Sequence, residues 1–204
     1  NKAGEIFNGA DDDGSGTVAL MEIAEAFQLA KKAGKAPKRS VLFLHVTAEE
    51  IGLVGSKYYV ENPVFPLANT VANLNINMIG RSDPENKGKN YVYVIGSDKL
   101  STSLKKINEA SNAATVNLEL NYKYDDPNDP EMLYYRSDHY NFAKNNVPAA
   151  FYFDGIHEDY HRPTDTPDKI DYELLKKRTQ LVFATAWELA NREERIVVDV
   201  KSSQ

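Results

Sequence analysis

The stretch DDDGSGTVALME, Asp11 to Glu22, admits two incompatible readings, and the choice between them settles the fold. Counted as a calcium loop, it puts Asp11, Asp13 and Ser15 at loop positions one, three and five, Gly16 at six and Glu22 at twelve. An EF-hand needs a helix on each side of that loop. The ten residues before Asp11 include Gly4 and Gly9, which form helix poorly. No second acidic loop of the type follows, and Ser15 stands where the stricter pattern has Asp or Asn. On the other reading the glycines turn the backbone sharply from loop into the helix of an α/β domain, and Glu22 is an ordinary helix residue.

The rest of the chain decides for the second reading. Leu20, Ile23, Ala24, Phe27 and Ala30 recur at helical spacing, and Gly34 followed by Pro37 ends that helix. SVLFLHVT, residues 40–47, is apolar on both faces, the pattern of a buried central strand, so His45 inside it is expected to be a satisfied core histidine. NTVANLNINM, YVYVIG, VNLELNY and AAFYFD read as further strands, and KLSTSLKKINEASNAA and SDHYNFAKNN as helices. DYELLKKRTQLVFATAWELANRE is a long helix with Leu174, Leu175, Leu181, Val182 and Trp187 for its buried side. Strands alternating with helices, without repeat or linker, predict one α/β domain over residues 1–204, not a helical bundle.

Composition narrows the partners. The 204 residues are 42% hydrophobic and 26% charged, enough to bury a proper core. A formal charge of −6 leaves no basic stripe for nucleic acid, and apolar runs such as SVLFLHV are far too short to span a bilayer. With no cysteine, any metal is held by carboxylates and the four histidines.

Glu49 and Glu50, in TAEEIGLVGS, fall where the expected strand ends, the place where ligands bind in open α/β sheets. Alone, two adjacent glutamates most often mark a solvated helix start. Here GADDDGSG, EEIGLVGS, NLNINMIGR, RSDHYNFA and YHRPTDTPDKI follow one another along nearly the whole chain. In that order they resemble the co-catalytic zinc aminopeptidases, the bacterial leucyl aminopeptidase-like metallopeptidases, whose relatives include glutamate carboxypeptidases and glutaminyl cyclases. The resemblance implies a three-layer α/β/α fold with a mixed central sheet, zinc as cofactor, and a peptide or small amino-acyl substrate cleaved at its amino-terminal bond. It also implies a secreted, periplasmic or cell-envelope location.

The resemblance assigns roles residue by residue. Asp12 matches the carboxylate that bridges two zinc ions, followed by a cis peptide; Glu49 matches the general base; Glu50 and His161 match terminal zinc ligands. Tyr160 matches a phenol that steadies the oxyanion, and Arg136 an arginine lining the substrate site in some members. Asp12, Glu50 and His161 supply three nitrogen and oxygen ligands and leave a fourth position open, the arrangement of a catalytic zinc.

Two departures point the same way. The family holds its second zinc with a histidine about a dozen residues before GADD and an aspartate where this chain has Asn77. Lacking that histidine, the chain reads as a fragment without the family's amino-terminal strands, and Asn77 is a neutral, weaker donor. One tightly held zinc at Asp12, Glu50 and His161 is therefore expected, with a weak or empty second site and doubtful activity for the fragment. A single-zinc acyltransferase of the glutaminyl cyclase type and a noncatalytic metal-binding scaffold are the alternatives. Of the other polar residues, His139 is expected to support structure near the site without ligating, and His157 shares the His161 loop and is only the minor candidate for a substitute ligand. Asp165 is expected to orient the His161 loop or cap a turn, and Lys123 to Glu131 to form a solvated acidic rim loop.

Overall fold

The computed structural model describes residues 4–200 and contains the expected alternation. Its helices are α1 (Gly16–Lys32), α2 (Val54–Glu61), α3 (Thr102–Ala114), α4 (His139–Ala143) and α5 (Tyr172–Asn191). Its strands are β1 (Asn73–Ile76), β2 (Tyr91–Ile95), β3 (Glu119–Asn121) and β4 (Ala149–Phe153). Helix α2 has no strong apolar period in its sequence VGSKYYVE and is the one helix not anticipated.

The strands lie in the order β1-β4-β2-β3. β1 runs parallel to β4 and β2 to β3, while β2 and β4 are antiparallel, so the sheet is mixed. Successive strand side chains point to opposite faces. Val92, Val94, Ala150 and Tyr152 therefore meet Ile23, Phe27, Leu104 and Leu181 of α1, α3 and α5 in the main core. Tyr91, Tyr93, Ile95, Phe151 and Phe153 turn to the other face and pack with Met78, Tyr124 and Leu133. Helices α2 and α4 join on that side through Tyr59, Val60, Phe142 and Val147, which completes a three-layer α/β/α arrangement. With both faces covered, every residue of β2 and β4 is buried, which is why these strands read as continuous apolar runs.

Helix α5 buries the residues its spacing singled out; Leu174, Leu175, Leu181 and Val182 are inside, and Trp187 packs against Phe27 and Phe183. It also buries Arg178, which is 0% exposed. The guanidinium donates to the carbonyls of Ile79, Arg81 and Tyr91 at 2.7–2.9 Å and lies 3.5 Å from Asp154, so its charge is solvated by strand-end dipoles and one carboxylate.

Residues 41–46 depart from the expected strand. Among the described residues, no backbone–backbone hydrogen bond joins this segment to another. Val41 and Phe43 reach the main core and Leu44 the α2–α4 cluster, so the two-faced apolar pattern is real. A groove of about 1110 Å³ is lined by this segment on one side and by residues 71–77 on the other. A strand needs a neighbour about 4.8 Å away, which an apolar pattern does not itself provide. His45 is accordingly exposed and not a core histidine.

Candidate metal centre

Because β1 and β4 are parallel, their carboxyl ends emerge side by side. Asn77 follows β1, and the loop carrying His157, Tyr160 and His161 follows β4. Asp12 arrives on the wide turn Ala10–Ser15 that opens α1. Gly9 enters that turn at φ 59°, and a Cβ there would sit 2.5 Å from the Asp12 carbonyl oxygen, so no side chain fits. The Asp12–Asp13 peptide is cis, as the resemblance implied.

The two aspartates flanking Asp12 hold the turn in place. Asp11 accepts the Gly80 N–H at 2.7 Å and meets His157 Nε2 at 3.1 Å. Asp13 accepts the N–H groups of Met78 at 2.9 Å and Gly16 at 3.1 Å. Both carboxylates are spent on tying the turn to the chain beyond β1, and Glu22 is exposed on α1, so the calcium ligand set is not assembled.

Asp12, Glu50 and His161 do converge. His161 Nε2 lies 3.2 Å from Asp12 Oδ2 and 3.3 Å from Glu50 Oε2, and one donor atom from each residue falls within 4.8 Å of the others. One imidazole nitrogen and two carboxylate oxygens from three separate segments are a donor set that suits zinc. His161 holds this place at φ 55°, a left-handed conformation unfavourable for a side chain and sustained here by its surroundings. Tyr160 stacks on its ring with centroids 3.7 Å apart. Arg136 donates to the Tyr160 hydroxyl at 3.2 Å and pairs with Glu131 at 3.2 Å. Asp12, Glu49, Asn77, Arg136, Tyr160 and His161 line one small cleft. In it the Asn77 amide donates to Ser137 Oγ at 3.1 Å, which leaves its buried Oδ1 without a partner.

The sequence profile of Peptidase family M28 matches residues 2–186. The chain belongs to that family. A probable leucine aminopeptidase of Arthroderma otae is 30% identical over 187 residues, covering 89% of this chain and 48% of the relative. The crystal structure of the Legionella pneumophila LapA aminopeptidase superposes with a TM-score of 0.75 at 25% identity, over 91% of this chain and 48% of that one. BSAP, a zinc aminopeptidase from Bacillus subtilis, shares the fold with a TM-score of 0.71 at 24% identity, over 95% of this chain and 46% of that one. The chain thus spans about half the length of these M28 relatives.

The electrostatics of the M28 cluster follow from crowding carboxylates out of water. Burial first, then the charges of Glu50, Asp11 and Asp165, push the Asp12 carboxyl up to about 7. Burial, then Glu50, Asp138 and Asp12, push Glu49 up to about 8, partly offset by Arg136. Both groups titrate near pH 4 in an unfolded chain. From about pH 4 to 8 the metal-free fold thus binds more protons than the unfolded chain, so their contribution to stability declines as pH rises through that window. A dication inverts the preference, since it requires the ionised forms. Chelator-treated protein is expected to lose melting temperature between about pH 5 and 8, and added zinc to raise it more at the upper end, as read by differential scanning calorimetry. Equal zinc shifts at both pH values would contradict this.

The remaining candidates sort clearly. His157 is not one of the grouped donors; it is buried against Asp11 and accepts the Asp159 N–H at 3.3 Å. His139 is 0% exposed and stacks on Phe151 with centroids 4.9 Å apart; burial pushes its pKa down to about 3, a neutral supporting residue as expected. In the acidic loop, Asp125 accepts the Gly96 N–H at 2.7 Å and so ties the loop to the end of β2, whereas Asp129 accepts those of Glu131 and Leu133 at 3.0 Å and fastens its own turn. Ser137, which gathers the amides of Asn75 and Asn77, was not singled out from the sequence. Arg178 was missed too, although it sits at helical spacing between Leu174 and Leu181 on the buried stripe.

Proposed function

We propose that this chain carries the metal centre of a zinc aminopeptidase, with Asp12, Glu50 and His161 holding one zinc ion and Glu49 acting as general base. The observation that carries the reading is the convergence of those three donors within 4.8 Å beside a glutamate whose proton affinity is raised to about 8. Zinc, when bound, supplies a Lewis acid that polarises a carbonyl and lowers the pKa of water to about 7. Glu49 takes a proton from the attacking water and returns it to the leaving amine. Its neighbour Glu50 and the turn after it fix its distance to the reacting atoms, which proton transfer requires. Tyr160 accepts from Arg136, so its own proton is free to be donated to the developing oxyanion. Arg136 lies at the cleft and fits a role in lining the substrate site.

One ion per chain is the proposed loading. Among the described residues, Asp12, Glu50 and His161 are the one group of histidine and acidic side chains so placed, and Asn77 offers a neutral carbonyl in place of a carboxylate. Inductively coupled plasma mass spectrometry of protein loaded with excess zinc and desalted is expected to find close to one zinc per chain. Two tightly held ions would overturn this. A panel of amino-acyl p-nitroanilides then tests the reaction: hydrolysis abolished by chelation and restored by zinc supports it. Cyclisation of a glutaminyl peptide without hydrolysis would move the reading to acyl transfer.

A further inference from the structure

Asp12 and His161 come from opposite ends of the chain, yet their donor atoms lie 3.2 Å apart. Asn8 Nδ2 donates to the Pro163 carbonyl at 2.6 Å and His157 Nε2 meets Asp11 at 3.1 Å, but most of the hydrogen bonds that tie the two segments end on one residue, Asp165. Three consecutive N–H groups of the Asp12 turn point at it. Ala10 N–H donates to the Asp165 carbonyl at 3.2 Å. Asp11 N–H is shared between the two carboxylate oxygens at 3.0 and 3.2 Å, and Asp12 N–H reaches Oδ2 at 3.1 Å. Asp165 itself closes the turn that directly follows His161, because its N–H donates to the Arg162 carbonyl at 3.2 Å, while the Arg162 N–H closes the turn containing His161 on the Asp159 carbonyl at 3.0 Å. It is 2% exposed, and its carboxylate is 4.0 Å from Arg81, which is anchored to Asp159 at 3.0 Å. Asp159 in turn receives Thr164 at 2.5 Å and Lys169 at 2.7 Å, so the far side of the clamp is braced.

A carboxylate seated on consecutive backbone N–H groups is a strong, directional attachment. Here it also carries a cost. Asp165 brings one more negative charge close to Asp12, in a site that already gathers Glu49 and Glu50. A neutral acceptor would tie the two loops with less repulsion, whereas a buried carboxylate both grips more N–H groups and adds attraction for a cation it does not touch. The sequence marks Asp165 for the His161 loop or a turn cap, whereas its hold on the Asp12 turn exists only in the tertiary structure.

We propose that Asp165 is a positioning residue for the metal centre: it registers the Asp12 turn against the His161 turn so that both donors meet one ion. The inference rests on the zinc reading above, and zinc affinity tests it without turnover. Loss of a partner behind a metal ligand costs about 10–100-fold in affinity. Asp165→Asn keeps the shape but presents one amide group to backbone donors; Asp165→Glu keeps the charge but displaces the carboxylate. Both are expected to weaken zinc by about 10–100-fold in competition with a chromophoric chelator, and to shift the visible bands of the cobalt-substituted protein. Asp168→Asn, an exposed change three residues away, is expected to leave both unchanged.

The metal-free melting temperature and circular dichroism of each variant separate positioning from folding. Weakened zinc binding in a variant that folds like the wild type supports the proposal. Wild-type affinity and an unaltered cobalt spectrum in both variants would overturn it. Failure of both variants to fold before loading would also overturn it, by making Asp165 a requirement of the fold. If the wild type itself binds no zinc, the metal-centre reading falls first and the positioning role with it.

Discussion

Glu49→Gln is expected to lower hydrolysis of amino-acyl substrates by about a hundred- to ten-thousand-fold while leaving zinc content unchanged. Glutamine preserves the shape and hydrogen-bonding reach of the side chain but cannot accept a proton. Glu49 is separate from the three-donor group, so the ion keeps its ligands. Burial and the surrounding carboxylates push Glu49 up to about 8 in the metal-free chain, and a nearby cation favours its ionised form. Removing that carboxylate also removes a group that gives up its proton at about pH 8 beside the three donors, so zinc binding in the variant should lose some of its dependence on pH. The check is kcat on a chromogenic amide with metal content measured on the same sample. An active preparation whose rate survives the change would remove Glu49 from the mechanism.

His161→Ala is expected to have the larger effect on the metal. It deletes the one nitrogen donor and leaves two carboxylates, Asp12 and Glu50, facing each other. Losing a partner behind a ligand already costs about 10–100-fold, and losing the ligand itself should exceed that range. The ring also supports Tyr160 by stacking, so the phenol should lose its placement as well. Alanine offers neither nitrogen nor ring. His161→Gln, which restores a polar donor without the imidazole, is expected to recover little. Chelator competition reads the affinity directly; zinc binding in His161→Ala close to that of the wild type would show that the ion lies elsewhere.

Much of the site was legible because its chemistry is local. Asp12, Glu49, Glu50, Tyr160 and His161 each lie in a short motif that carries the family resemblance, and the structure brings them to one cleft or donor group. Their supports are not local. Asp165 contacts a turn about 150 residues earlier in the chain, His157 leans on Asp11, and Ser137 gathers two asparagines from β1 and its end. A serine, an aspartate or a histidine in a loop carries no mark of which distant N–H or carboxylate it will meet. His157 looked like a spare ligand for that reason.

The α/β alternation, the buried runs YVYVI and AAFYF and the amphipathic α5 were all written in residue order, since apolar periodicity follows from which faces a segment must bury. The apolar pattern in residues 41–46 correctly gave apolar contacts to two clusters, through the partly buried Val41 and Phe43 and through Leu44, and failed to give a strand. Side-chain pattern records burial, whereas a ladder depends on which backbone lies alongside. Tertiary structure alone decided that pairing, the strand order β1-β4-β2-β3 and the convergence of Asp12 with His161. Hydrophobic burial acts on each segment's own faces; hydrogen bonds and metal ligation act between segments, and their geometry exists only once the chain has closed on itself.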